Sequence, residues 1–485
     1  MNKKVLSAVL ALLMVVGVLS GCGLTNAPET TVTIPSGDDN ADGAPSVVDF
    51  NGYNYRIYSH GATNGTTVIV EELSTDVVDN AMYKRNEKIK QMYNVNISAT
   101  EKGDAYLVAS QYAGEDLADT YYVPERFHYV NASEYALNLR DISTLRLDRD
   151  YWNQDHNRNM TVNGVLQTAI GDIFASDEFT VTILALNNKL FKDLGEDVEE
   201  FQKKVIDGKW YYEDFYNYVK AGTRDLDGIP GMTTSDQYGL TTGYDIYWQL
   251  YNSAGLDVIE QDSDGDYKFT VDNEATLDAL NVFANICTNR DYCQFAEQWR
   301  GNYDFKGMCT SFTKDHALFC TFRVYEMEYL RNMDSDYTIL PFPKVYESLD
   351  RYYTVGDGFT EALWIPKTVS NPERTGLITD ALGYYSTDYQ GAVYDKVLME
   401  KYARDPVSQS LLKLIFSDIK WQLDEQALIM NFRINLTHRW AEDRQGITAF
   451  ASKTRNAITN AEENLKTIVE NLENSRLNNA VSSGE

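Results

Sequence analysis

Seventy-two acidic side chains but only five histidines, His60, His128, His156, His316 and His438, bound what reaction this 485-residue chain could run. Two carboxylates flanking a bond can cleave a glycoside, yet among so many acids no pair stands out by spacing. Five scattered histidines do not make a multi-histidine metal site. The sequence contains no G-x-S-x-G, no H-E-x-x-H, no phosphate loop and no G-x-G-x-x-G after a strand. Asp225, Asp227 and Asp236 stand at positions 1, 3 and 12 of a calcium-loop pattern. Ile229 and Pro230 replace an oxygen donor and the turning glycine, which argues against calcium. Asp262, Asp264 and Asp266 read better as a hairpin turn. Cys287, Cys293, Cys309 and Cys320 show no C-x-x-C spacing, so zinc and redox-motif chemistry are not indicated; four cysteines leave three disulfide pairings open.

What the chain has in quantity is aromatic. Its 34 Tyr and 7 Trp join a flat apolar face to a polar tip, which suits a wet cleft for an amphipathic ligand. The net charge of -29 favours solubility and argues against nucleic-acid binding, which needs a basic patch.

One reactive residue has a clear context. Lys3 and Lys4 precede an apolar run, Val5 to Leu19, too short to span a bilayer. Leu19-Ser20-Gly21-Cys22 follows and resembles the bacterial lipobox, in which the cysteine is lipidated. Residues 1–22 are therefore expected to be a lipoprotein signal peptide, with Cys22 as lipid anchor. Residues 23–48 are rich in Thr, Ser, Pro, Gly and Asp and read as a flexible tether. The body beyond is expected outside the cytoplasm, held to the cell membrane by lipid.

The elements that must position any site alternate. Tyr53–His60, Asn94–Ser98 and Leu117–Val123 read as strands, with helices over Asp79–Tyr93 and Ala105–Tyr112 between them. That order predicts a parallel α/β unit, whose ligands bind beyond the carboxyl ends of the strands. The pattern restarts at the apolar strand Phe179–Leu186. Helices are expected over Tyr212–Ala221, Asp245–Ser253, Asn273–Arg290 and Asp315–Met333. Strands are expected over Tyr238–Thr242, Tyr337–Phe342 and Phe359–Ile365. From Asn371 onward the chain reads as mainly helical. No linker rich in Pro or Gly separates the halves. The organisation expected is a first lobe starting in 49–180, a second lobe mainly in 181–360, and a helical region, 361–485, crossing back onto both.

Several segments in this order resemble the extracellular solute-binding lipoproteins of bacterial ABC importers, in the carbohydrate branch. They are Asp79-Asn80-Ala81-Met82-Tyr83-Lys84-Arg85-Asn86, Gly208-Lys209-Trp210, Asp236-Gln237-Tyr238-Gly239-Leu240, Ile339-Leu340-Pro341-Phe342-Pro343-Lys344 and Trp364-Ile365-Pro366. His316-Ala317-Leu318-Phe319 and Arg404-Asp405 with Ser408 add to them. The resemblance implies a two-lobed, type II-like periplasmic-binding-protein fold, a monomer that closes by a hinge on an oligosaccharide and docks on a membrane permease. It implies no catalysis and no cofactor. On that basis the candidate ligand contacts are His60 and Asp119 at strand ends of the first lobe, and Tyr244, Tyr247 and Trp248 after a strand of the second. Arg323 after an apolar run and Trp421 after the late helix complete the set. A glycan-cleaving surface enzyme would instead consume its sugar, an adhesive lipoprotein would lack a hinge, and a peptide binder would use the same aromatic cleft.

Overall fold

The computed structural model describes residues 43–60, 69–125, 133–261, 267–270, 273–287, 289–297, 305–356, 360–403, 405–417, 419–421, 459, 462–463 and 465–473. Two sheets organise them. The first has Tyr53–Ser59 at its centre, parallel to Val95–Glu101 on one side and to Thr120–Pro124 on the other. Glu361–Trp364 adds an antiparallel edge strand on Thr120–Pro124. That edge comes from far along the sequence, so the first lobe is built from two separated stretches of chain.

The crossover helix between the first two strands, Val77–Tyr93, starts earlier than its sequence indicated. Asp76 caps it, accepting from the N–H groups of Val78 at 2.8 Å and Asp79 at 3.2 Å, which satisfies two of the helix's orphan donors. Asn94 ends it in a left-handed conformation with φ 47°, so that Val95 can turn straight into the next strand.

The second sheet has the order Tyr337–Leu340, Thr182–Asn187, Ala317–Arg323, Tyr238–Thr242, Cys293–Phe295. The first two pairings are antiparallel and the last two parallel. Here the expected helix Asp315–Met333 is overturned. Ala317–Arg323 is the central strand, every residue of it buried, and only Val324–Leu330 coils, as a 3-10 helix. A run that is apolar all along cannot be told from a helix by periodicity, and burial on both faces is what makes it a strand. Leu318 and Phe319 join one core and Cys320 and Phe322 another. Cys293–Phe295 and the helix Phe305–Thr313 were not foreseen. Gly239 is required where its strand meets the preceding helix, since a Cβ there would lie 1.8 Å from the Val219 carbonyl oxygen.

The hairpin Ile259–Gln261 with Tyr267–Phe269 pairs as expected, while its acidic turn lies outside the described residues. The C-terminal region is helical through Pro372–Tyr384, Thr387–Gly391 and Pro406–Phe416, with a π-helix over Ala392–Tyr402. Asp380, fully buried, fixes the first of these helices by accepting from Arg146 Nε at 2.7 Å, the Tyr151 hydroxyl at 2.9 Å and Trp152 Nε1 at 3.3 Å. Ala44 and Val48, in the segment read as tether, are buried, and Gly43 accepts from Arg146 at 2.8 Å. Ordered packing therefore begins by residue 43. Cys293, Cys309 and Cys320 are buried free thiols, and the side chain of Cys287 is outside the described residues.

Candidate functional site

The parallel strands of the first sheet end together at Ser59–His60, Glu101 and Pro124–Glu125, and the antiparallel edge strand begins there, with Glu361 opposite Pro124. In the second sheet the carboxyl ends lie at Thr242, Phe295 and Arg323, with Thr182 entering opposite Arg323. Two chain crossings connect these ends. Val181 pairs with Gly356, and the Thr180 and Thr360 hydroxyls meet at 2.6 Å. A Cβ on Gly356 would stand 2.9 Å from Thr360 Oγ1, so only glycine leaves the crossings this close. Both carboxyl edges thus abut one paired crossing, the arrangement of a cleft with a hinge at its base.

On the second-lobe edge, the Tyr244 N–H donates to Glu297 Oε1 at 2.9 Å and the Tyr244 ring lies 5.5 Å from that of Phe295. The Arg290 guanidinium sits 4.2 Å above Phe295. Arg323 reaches Asp245 at 3.8 Å and the Tyr325 hydroxyl at 3.3 Å, while its backbone N–H is taken by Glu326 at 2.8 Å. Burial lifts the Glu297 carboxyl to about 7. Tyr244, Asp245, Arg290, Glu297 and Arg323 therefore form one edge of aromatic faces and paired charges. Tyr244 is itself nearly fully buried, and Tyr247 and Trp248 follow it in the same core. The last two belong to the helix Ile246–Ser253 and are fully buried, with Trp248 stacked on Tyr251 at 5.6 Å and an interplanar angle of 6°.

On the first-lobe edge, His60 is half-buried and its N–H donates to the Tyr122 carbonyl at 3.4 Å. Asp119 is elsewhere. It precedes the strand Thr120–Pro124 and so lies at the amino end, where it accepts from the Tyr53 hydroxyl at 2.6 Å, the Arg56 N–H at 2.7 Å and Arg56 Nε at 3.3 Å. The sequence places Asp119 at a strand end; tertiary pairing decides which end. Trp421 packs against Ile170 and Ala362, with the His156 ring at 5.4 Å edge-on. Cys22 lies outside the described residues.

Sequence reasoning missed the polar groups beside these residues. Glu125 and His156 are fully buried and meet at 2.7 Å, with the Thr168 hydroxyl donating to the same carboxylate oxygen at 2.8 Å. Asp177 and Glu178 sit in the short helix leading into the first crossing. Burial raises both carboxyl groups, and the charge of Asp177 lifts Glu178 further. The available signal was position: Glu125 directly follows a strand, and Asp177-Glu178 directly precede an apolar one.

The acidic loop does gather. Oxygens of Asp225, Asp227 and Asp236 lie within 4.8 Å of one another. They are also turned onto their own loop: Asp236 accepts from Leu226 and Thr233 at 2.7 Å, Asp225 from Gly228 at 2.7 Å, and Asp227 from Ile229 at 2.8 Å. Those backbone donors hold the Asp236 carboxyl below its ordinary range.

No protein-family model matches the chain, and no curated protein matches it. Solved structures do. The ABC substrate-binding protein Lmo0181 from Listeria monocytogenes, in complex with cycloalternan, aligns at a TM-score of 0.51 and 11% identity, over 88% of this chain and 99% of that one. Maltose-bound MalE3 of T. maritima aligns at 0.52 and 15%, over 86% and 100%. The chain has the two-lobed α/β fold of these substrate-binding proteins.

Proposed function

We propose that this chain is the carbohydrate-capturing subunit of an ABC importer, taking an oligosaccharide between its lobes and passing it to a membrane permease. The observation that carries the reading is the meeting of both carboxyl edges at one paired crossing, in a fold shared over nearly the whole length with proteins solved in complex with cycloalternan and with maltose. Ligand contacts made only when the lobes close bias the hinge toward the closed state. Tyr244 and Trp421 would lie against the apolar face of a sugar ring, and Asp245, Arg323 and His60 would bond its hydroxyls. We read the chain as a binder and not an enzyme, as a monomer, and as tethered outside the cytoplasm through lipid on Cys22. The first lobe starts in 49–180 and the second lies mainly in 181–360, with 361–485 returning to both.

The test is to express residues 23–485 and follow melting against a panel of mono- and oligosaccharides. A ligand at about 100 times its dissociation constant adds roughly 2.7 kcal/mol. A shifted melt with one oligosaccharide, recovered uncleaved, is the expected result. A cleaved sugar would mean an enzyme, and no shift with any sugar would overturn the carbohydrate reading.

A further inference from the structure

A cavity of ≈ 480 Å³ opens between one face of the second-lobe sheet and the helix Phe305–Thr313, reaching from Ala296, next to the cleft edge, to His316 at the amino end of the central strand. Its size is in the range of small-molecule sites. Its lining is unusual for this protein. The whole chain has 72 acidic residues and a net charge of -29, yet none of the described residues lining the cavity is acidic, and Lys314 and His316 both are there.

The floor departs from its own sheet face. Cys320 and Phe322 make that face apolar along the central strand, but Thr241 and Gln294, nearly fully buried, turn it polar toward the edge. The Thr241 hydroxyl donates to Gln294 Oε1 at 3.3 Å, which leaves the Gln294 amide nitrogen as a donor toward the cavity. Among the described residues, no hydrogen bond or ion pair occupies Gln294 Nε2, Ser311 Oγ, Lys314 Nζ or the His316 ring. The neighbouring acids are committed elsewhere. Asp236 holds the N–H groups of its loop, and Asp315 accepts from Asn187 at 2.6 Å, Lys189 at 3.0 Å and Ser335 at 3.0 Å.

A concave site with an ammonium, an imidazole, an amide N–H and hydroxyl donors, and no carboxylate among its described lining, is chemically complementary to an oxyanion. We infer that this cavity is a second binding site, sharing no lining residue with the proposed sugar contacts, for a tetrahedral oxyanion of the phosphate or sulfate class, either free or carried on a small sugar. Lys314 supplies the charge, Gln294 and Ser311 fix the oxygens, and His316 closes the distal side.

The test uses the full chain in detergent and reads binding by calorimetry and by melting, at constant ionic strength set with chloride. The probes are inorganic phosphate, sulfate, glucose 6-phosphate and, as control, glucose. Saturable binding of an oxyanion that chloride does not reproduce, weakened at least tenfold in the Lys314→Ala/His316→Ala double variant, is the expected result. A tighter fit for glucose 6-phosphate than for phosphate would assign the site to a phosphorylated sugar, and equal affinity to the free ion. Gln294→Glu keeps the side-chain shape while placing a negative charge in the cavity, and serves if the double variant fails to fold. No saturable binding by any of the three anions, or binding unchanged in the variants, would overturn the inference. Phosphate and sulfate carry no sugar, so their failure to bind leaves the carbohydrate reading untouched, and glucose 6-phosphate binding that persists in the Lys314→Ala/His316→Ala variant is assigned to the cleft.

Discussion

Asp172 lies just before the first crossing and offers a sharp test of how the base of the cleft is built. Burial, with the nearby Asp177 and Asp150 carboxylates adding to it, lifts its carboxyl from 3.8 to about 7. Between those values the folded chain holds a proton that the unfolded chain has lost. Stability therefore falls as pH rises from about 4 to 7, and the whole penalty is present above 7. At 1.36 kcal/mol per pH unit over about 3 units the penalty is at most ~4 kcal/mol. Water reaches part of this side chain, so roughly half of that is expected. Asp172→Asn keeps the shape and removes the charge. It should stabilise the protein by about 2 kcal/mol at pH 8 and by about 1 kcal/mol at pH 5. With an unfolding entropy of about 2.1 cal/mol/K per residue, this is roughly 2 °C in melting temperature at pH 8 and about 1 °C at pH 5. Calorimetric melts of both proteins at the two pH values decide it. Equal shifts at both, or a lower melt for the variant at pH 8, would refute the assignment of Asp172 to a half-buried, acid-crowded position.

Three further outcomes follow from the same packing. Asp380→Ala strands the buried Arg146 guanidinium and should cost about 3–5 kcal/mol, a fall of several degrees in the melt with sugar affinity unchanged once folded. Trp248→Ala empties a core position and should cost about 3–5 kcal/mol, and Tyr244→Ser, in the same core, should lower the melt too; on the proposed reading only Tyr244→Ser also weakens sugar binding, and measuring melt and dissociation constant on each variant separates the two. Gly356→Ala forces a methyl against Thr360 Oγ1 and should strain the crossing by about 1–3 kcal/mol, with most of the lost stability recovered when Thr360→Ala is added.

Much of the first lobe was legible because it is local. The alternation of Tyr53–Ser59, the amphipathic run to Tyr93 and the strand at Val95 each have a period that a window of sequence reveals. The α/β class followed from their order. The central strand Ala317–Arg323 was not legible in the same way, because a residue run buried on both faces carries no period. For the candidate site, chemistry and placement separated. The aromatic cluster after Thr242 is real as sequence, but Tyr244, Tyr247 and Trp248 are all buried in one core, and it is the Tyr244 N–H that meets Glu297.

The sequence by itself determined the signal-like start, the acidic charge, the alternating elements and the residue types from which a sugar cleft could be made. Only the tertiary structure decided which strand ends share an edge, that Asp119 serves Tyr53 and Arg56 at the far end of its strand, and that Glu125 finds His156. It also decided that Glu361, some 236 positions beyond Glu125, completes the first sheet. The physical reason is range. Propensity and periodicity act over a few residues, while strand pairing and burial join positions whose separation in the chain leaves no local trace.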